Sequence, residues 1–193
     1  MKQLEEKIRK EGKILSGDIL KVDNFLNHQI DVAFLNEIGE EFHRLFAGEA
    51  VTKIMTIEAS GIALAVAVSQ AFGNVPVGFA KKVLARNMGE DRYSEACYSY
   101  TRQIPYHVSV SKEYLSEEDH VLIIDDFLAN GEAANAMISI CRQAKATIAG
   151  VGIVIEKTYQ PGRERIEKLG VKIHSLARIR FMDEENIEFI EEE

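Results

Sequence analysis

One run, VLIIDDFLANGEA at 121–133, limits what this chain can become. Val121 to Ile124 are aliphatic without a polar break, which reads as a buried strand. Asp125 and Asp126 are expected to stop it, and a short loop from Phe127 to Gly131 leads to a helix opening at Glu132. A buried strand handed to a helix through a short loop belongs in an α/β sheet. The junction suits a sugar phosphate. Paired carboxylates accept hydrogen bonds from ribose hydroxyls or hold a divalent metal, while loop amides and the helix dipole hold a phosphate. The same order is also ordinary α/β punctuation, because Asp caps turns and helices well.

The remaining segments point to the same class. Residues 2–11 read as a short charged helix with Leu4 and Ile8 on one face, ended by Gly12. Residues 13–30 mix strand-like and turn-like residues. Asp31 is suited to cap a helix whose apolar stripe is Phe34, Leu35, Ile38, Phe42, Leu45 and Phe46. Strands are predicted at 51–57, 75–80, 121–125, 147–155 and 171–177. Helices are predicted near 62–72, from Glu132 to about Lys145, and from Pro161 to Gly170. Residues 93–101 and 106–111 suggest a hairpin with a corner at Pro105, and 187–190 an edge strand. Lys81 to Arg92 has no sustained period and reads as a mobile loop. The pattern predicts an α/β fold with a three-layer, mainly parallel sheet flanked by helices. Ligands of such sheets sit beyond the carboxyl ends of the strands, at a topological switch.

Composition excludes several classes. The 193 residues, 46% hydrophobic and 28% charged, suit one soluble α/β domain. A net charge of −8 argues against nucleic-acid binding, and requires local cations and amides for any polyanionic substrate. The longest apolar run, Ile62 to Val68, is too short to cross a bilayer. The N-terminus has no apolar h-region, so no secretory signal is expected. Cys97 and Cys141 form no CxxC pair, which favours a reduced, cytoplasmic setting. The histidines at 28, 43, 107, 120 and 174 lack metal-ligand spacing. No G-x-G-x-x-G follows a strand, which sets aside a dinucleotide-binding oxidoreductase.

Three further strand ends carry candidate chemistry. Glu58, Ala59, Ser60 and Gly61 lie between a strand and a helix, where small residues let backbone approach a diphosphate; the same residues make a simple strand–helix turn. Lys81 and Lys82 follow strand 75–80 and can bind diphosphate oxygens, with Arg86 and Arg92 nearby in the loop. Lys157 follows strand 147–155 and can donate to a purine carbonyl, while Phe127 is suited to a flat base or to the core.

The run at 121–133 resembles the phosphoribosyl diphosphate (PRPP) motif of type I phosphoribosyltransferases. ILSGDILKVDNFLNHQID (14–31), TIEASGIA (56–63), DHVLIIDDFLANGEA (119–133) and IAGVGIVIEKTYQPGRE (148–164) are similar to bacterial xanthine phosphoribosyltransferases. The match is collinear over nearly the whole chain. The resemblance implies a type I phosphoribosyltransferase fold in one domain, 1–193, with a small N-terminal hood at about 1–35 over a core at 36–193. It implies a cytoplasmic homodimer that joins xanthine to PRPP with Mg²⁺, yielding xanthosine 5′-monophosphate and diphosphate in purine salvage. By position, Asp125 and Asp126 would be catalytic and face the ribose hydroxyls. Ala129, Asn130, Gly131, Glu132 and Ala133 would cradle the 5′-phosphate. Glu58, Ala59, Ser60 and Gly61, with Lys81 and Lys82, would serve diphosphate, and Leu20, Asn27 and Lys157 the base. Mg²⁺ would be carried by PRPP, with no protein ligand assigned.

Three departures accompany the resemblance. After Glu58 the family has Ser-Gly-Ile-Ala-Pro where this chain has Ala59-Ser60-Gly61-Ile62-Ala63-Leu64. The family has Arg-Lys where this chain has Lys81-Lys82, and lysine lacks arginine's bidentate fork. Residues 83–95 do not follow the family pattern. Other readings remain open at this stage: the same transfer to guanine or hypoxanthine, or a non-catalytic PRPP-binding regulator. A lysine donor favours a 6-oxopurine over adenine, and an Asn27 amide suits the 2-oxo group of xanthine.

Overall fold

The computed structural model describes residues 1–15, 19–83, 91–99 and 104–190. Its eight-stranded sheet has the order β10-β9-β8-β7-β3-β4-β6-β5. The strands are β3 (Lys53–Ile57), β4 (Val77–Val83), β5 (Arg92–Ser99), β6 (Ile104–Ser111), β7 (His120–Leu128), β8 (Thr147–Lys157), β9 (Ile173–Met182) and β10 (Ile187–Phe189). The pairs β9–β8, β8–β7, β7–β3 and β3–β4 are parallel, and the flanking pairs are antiparallel. The helices are α1 (Lys2–Glu11), α2 (Val32–Leu45), α3 (Ser60–Ala71), α4 (Glu132–Gln143) and α5 (Gly162–Lys168). A hairpin of β1 (Lys13–Leu15) and β2 (Ile19–Lys21) follows α1, and a single π turn spans Asp23–Asn27.

Alternation along β7 explains the three layers. Leu122 and Ile124 face Ile54, Phe42, Leu64 and Val68, under α2 and α3. Val121 and Ile123 face Met55, Met137, Ile140 and Ile166, under α4 and α5. Both faces of the strand are therefore dry, as its unbroken apolar sequence requires. Asp31 caps α2 as expected, its Oδ1 accepting from the Phe34 N–H at 3.1 Å. Leu4, Ile8, Leu20, Val22, Phe25 and Leu26 join the core on the α2 side, so α1, β2 and the π turn pack against that face of the sheet. Met1 also donates through its amino group to the Leu176 carbonyl of β9.

Strand lengths differ from the sequence reading. β7 does not stop at Asp125; it runs to Leu128, because β8 continues beside it as far as the Leu128–Glu156 pair. β4 likewise passes through Lys81 and Lys82, which pair with Ser109 and Val108 of β6. Residues expected in a loop are strand because an antiparallel partner reaches them. β5 and β6 form the expected antiparallel pair, with Pro105 opposite Tyr98 inside the strands; the turn joining them lies outside the described residues. Arg86 and most of the 83–95 segment also lie outside them. No helix among the described residues is long and apolar enough to cross a membrane. Cys97 and Cys141 are free and buried.

Candidate active site

The sheet changes direction of travel between β3 and β7. From β3 the chain crosses through α3 to β4 on one side, while β7, β8 and β9 step away on the other. The β3–β7 ladder ends at Met55–Ile123, yet β7 and β8 stay paired to Leu128–Glu156. A cleft therefore opens beyond Ile123, and Asp125 and Asp126 edge it. This is the position at which open α/β sheets bind ligands.

The two acids are neighbours in space as well as sequence. The Asp126 N–H donates to Asp125 Oδ1 at 3.0 Å, and the Phe127 N–H to Asp126 Oδ1 at 3.0 Å. Burial, then the adjacent Asp126 charge, pushes the Asp125 carboxyl well above the usual carboxylate range; the Lys82 ammonium opposes this. Such a pair accepts hydroxyl donors and favours positive charge brought near it.

Beyond the acids the chain bends through Ala129 and Asn130 into Gly131, whose φ of +83° is left-handed. Gly131 precedes α4, and no side chain caps that helix. Among the described residues, the N–H groups of Asn130, Gly131, Glu132 and Ala133 bond to no protein acceptor. Open amides at a helix start make an anion cradle. The bend is backed by α5. The Gly162 N–H donates to the Ala129 carbonyl at 3.0 Å, and Arg165 Nη1 to the Asn130 carbonyl at 3.0 Å. A side chain on Gly131 would meet Gly162 Cα at 3.0 Å, and one on Gly162 would meet the Ala129 oxygen at 2.5 Å.

Glu58 directly follows β3. Its Oε1 accepts from the Lys82 N–H at 2.6 Å, tying the turn 58–61 to β4. The Glu58–Ala59 peptide is cis, and Ser60 opens α3. Gly61 packs on buried Thr56, whose Oγ1 would lie 1.9 Å from an added Cβ. Lys81 and Lys82, expected to act together, are separated by strand alternation. Lys82 Nζ lies 5.8 Å from the Tyr106 ring centroid and acts on Asp125. Lys81 lines a cavity of about 670 Å³ with Phe79, Arg92, Ser109 and Tyr114.

Lys157 ends β8 and pairs in register with Ile179, a member of the core cluster on the α2 side. Asn27 closes the π turn, and its Oδ1 is buried without a protein partner among the described residues. Leu20 is buried on β2 opposite Ile14 and packs towards Gly12. It belongs to the apolar cluster on the α2 side, which also contains Ile179.

Sequence reasoning missed four residues around the acids. Tyr106 and Cys97 bond to each other through their side chains, and Cys97 Sγ lies 3.9 Å from the Glu132 carbonyl. Burial raises the Cys97 thiol to about 11 and also raises the Tyr106 phenol, which senses Asp125. No local motif announces them, since β5 and β6 reach the site only through tertiary pairing. Gly162 and Arg165 were hidden for a different reason: a short polar helix shows no sign of what its first turn touches.

The comparisons with known proteins agree with this geometry. Residues 21–186 match the family model "Phosphoribosyl transferase domain". A xanthine phosphoribosyltransferase of Laribacter hongkongensis is 54% identical over 189 residues, covering 98% of this chain and all of the relative. One from Latilactobacillus sakei is 50% identical, covering 100% of this chain and 98% of the relative. An adenine phosphoribosyltransferase structure from Thermoanaerobacter pseudethanolicus superposes with a TM-score of 0.73 at 19% identity, covering 91% of this chain and 99% of that one. An APRTase from Giardia lamblia complexed with 9-deazaadenine gives 0.75 at 23% identity, over 90% and 96%. The three-layer sheet is thus the type I phosphoribosyltransferase fold, and the chain belongs to the phosphoribosyltransferase family, in the branch of the xanthine phosphoribosyltransferases.

Proposed function

We propose that this protein transfers the 5-phosphoribosyl group of PRPP to xanthine, releasing xanthosine 5′-monophosphate and diphosphate in purine salvage. The observation that carries the reading is the pairing of Asp125 and Asp126 with an uncapped amide bend at the switch between β3 and β7. The choice of xanthine rests on relatives of that name at 50–54% identity over the whole chain.

In this reading the amides of 130–133 hold the 5′-phosphate, and Asp125 and Asp126 face the ribose hydroxyls. As diphosphate leaves C1′, positive charge grows on the ribose ring. The two acids favour that charge electrostatically, and a substrate cation drives Asp125 towards its ionised form. Glu58 to Gly61 and Lys82 attend the departing diphosphate. Lys157 donates to the 6-oxo group of the base. The Asn27 Oδ1, buried without a protein partner among the described residues, supports a base-side role, because an unpartnered acceptor suits an N–H of the base. Mg²⁺ would come with PRPP and would neutralise charge on the leaving diphosphate, with no protein ligand assigned to it. A cytoplasmic homodimer completes the reading. The support for a dimer is Val66, 45% exposed on the largely apolar helix α3, a position suited to a partner surface.

Diphosphate release from PRPP and Mg²⁺ should be assayed with xanthine, guanine, hypoxanthine and adenine. Xanthine should give the highest kcat/KM. Equal or better turnover of guanine or hypoxanthine would replace xanthine as substrate, and no turnover of any base would refute the transfer itself.

A further inference from the structure

We infer that Arg165 is a positioning residue of the phosphate cradle: it turns the bend's amides outward and neutralises the one acid built into the cradle. The inference rests on the proposed binding of a ribose 5-phosphate group there.

The geometry begins with two carbonyls. The Ala129 oxygen accepts from the Gly162 N–H, and the Asn130 oxygen accepts from Arg165 Nη1, both at 3.0 Å. In a trans peptide the C=O and the following N–H point in opposite directions. Both carbonyls are turned towards α5, so the N–H groups of Asn130 and Gly131 are turned away from it, into the cleft. Consecutive amides aimed the same way form an anion-binding nest. Gly131, left-handed at φ +83°, carries the chain from that nest into the open first turn of α4.

The cradle also contains a misfit. Glu132 stands in the first turn of α4, where its carboxylate would repel an incoming phosphate. Arg165 Nη1 reaches Glu132 Oε1 at 2.6 Å, so the same guanidinium neutralises the acid and holds the carbonyl. The pair is partly exposed, at 40% and 29%, so its contribution to fold stability is small. Its effect is therefore on the anion site. Arg165 is itself held at the right height by α5, which Arg163 anchors to buried Glu156 through bonds of 2.8 and 2.6 Å.

The test compares wild type with Arg165→Met, Arg165→Lys and Arg165→Met combined with Glu132→Gln, in the full chain. Both KM values and the dissociation constant for ribose 5-phosphate are measured. Arg165→Met should raise the PRPP KM and the ribose 5-phosphate constant about tenfold, as expected for a lost charge-assisted bond, and leave the base KM within about twofold. Arg165→Lys, which keeps the charge, should lie between. Adding Glu132→Gln should restore a good part of the loss, a rescue that a merely structural role would not produce. Unchanged phosphate-side constants in Arg165→Met, equal rises in both KM values, or no rescue would each overturn the inference. Failure of the wild type to bind ribose 5-phosphate would refute the underlying reading instead.

Discussion

Asp125 and Asp126 lie in one paired strand with the second residue's N–H bonded to the first residue's carboxylate at 3.0 Å. Burial and the neighbouring acid make the charged form of Asp125 unfavourable in the ligand-free protein. A free carboxyl of ordinary value 3.8 would be ionised over the whole neutral range. In the fold, Asp125 keeps its proton to higher pH. Between those two values the native state holds a proton that the unfolded state has released. The group therefore adds most stability at low pH, and that contribution declines as pH rises through the window.

The first prediction follows. Asp125→Asn should leave the ligand-free protein as stable as wild type or raise its melting temperature at neutral pH, and should flatten the fall in melting temperature above about pH 4. Turnover should fall by orders of magnitude when Asp125→Asn and Asp126→Asn are combined. Thermal melts at several pH values and a diphosphate-release assay read both effects. A less stable variant at neutral pH, or near-normal turnover, would contradict the assignment.

The strand–acid–bend–helix run was legible because each part has a local signature: an aliphatic run, paired acids, then a glycine before a helix. The layers followed from that run and its repeats. Strand ends were not legible, since Asp125, Asp126, Lys81 and Lys82 are held in strands by partners distant in sequence. For the same reason the two lysines looked like one cationic pair, when alternation sends them to opposite faces. Arg165 and Tyr106 reach the site through tertiary contact alone, which no spacing encodes.

Gly131 offers a second prediction. Its left-handed φ strains any side chain, and the 3.0 Å approach of Gly162 Cα makes a methyl group tight as well. Gly131→Ala should cost roughly 1–3 kcal/mol and lower the melting temperature by several degrees. It should raise the PRPP KM more than the base KM, because in the proposed reading the bend holds the phosphate. A variant with wild-type stability and wild-type PRPP affinity would show that this backbone conformation is not needed.

The buried ion pair behind the site gives a third. Burial alone would raise the Glu156 carboxyl, but bonds from Arg163 and Ser175 and the Arg178 charge outweigh it and hold the group below its ordinary range. Its contribution is therefore complete above the ordinary value of 4.5 and is lost as pH falls through the lower native one. Arg163→Met leaves the buried carboxylate with only Ser175 and the more distant Arg178, 3.5 Å away, and should cost about 3 kcal/mol. Adding Glu156→Leu should recover much of that loss, since two apolar groups need no partner. Urea titrations of the single and double variants measure the difference, and a double variant no better than the single would exclude the ion-pair explanation.

Lys157 separates the two substrates most cleanly. It ends β8 and shares the sheet face with Ile179, on the side packed by α1, β2 and the π turn, whereas the bend proposed to hold phosphate lies one strand away at the end of β7. Glu156, the residue before it, points to the opposite face and is fixed by Arg163, so the strand end is anchored independently of the lysine. Removing the ammonium should therefore disturb the base and spare the phosphate. Lys157→Ala should raise the xanthine KM about tenfold or more, as for a lost charge-assisted hydrogen bond, with the PRPP KM changed less than about threefold. A base lacking the 6-oxo group should show little difference between variant and wild type. If the xanthine KM stays unchanged while the PRPP KM rises, Lys157 serves the sugar phosphate and the base must find its donor elsewhere on that face.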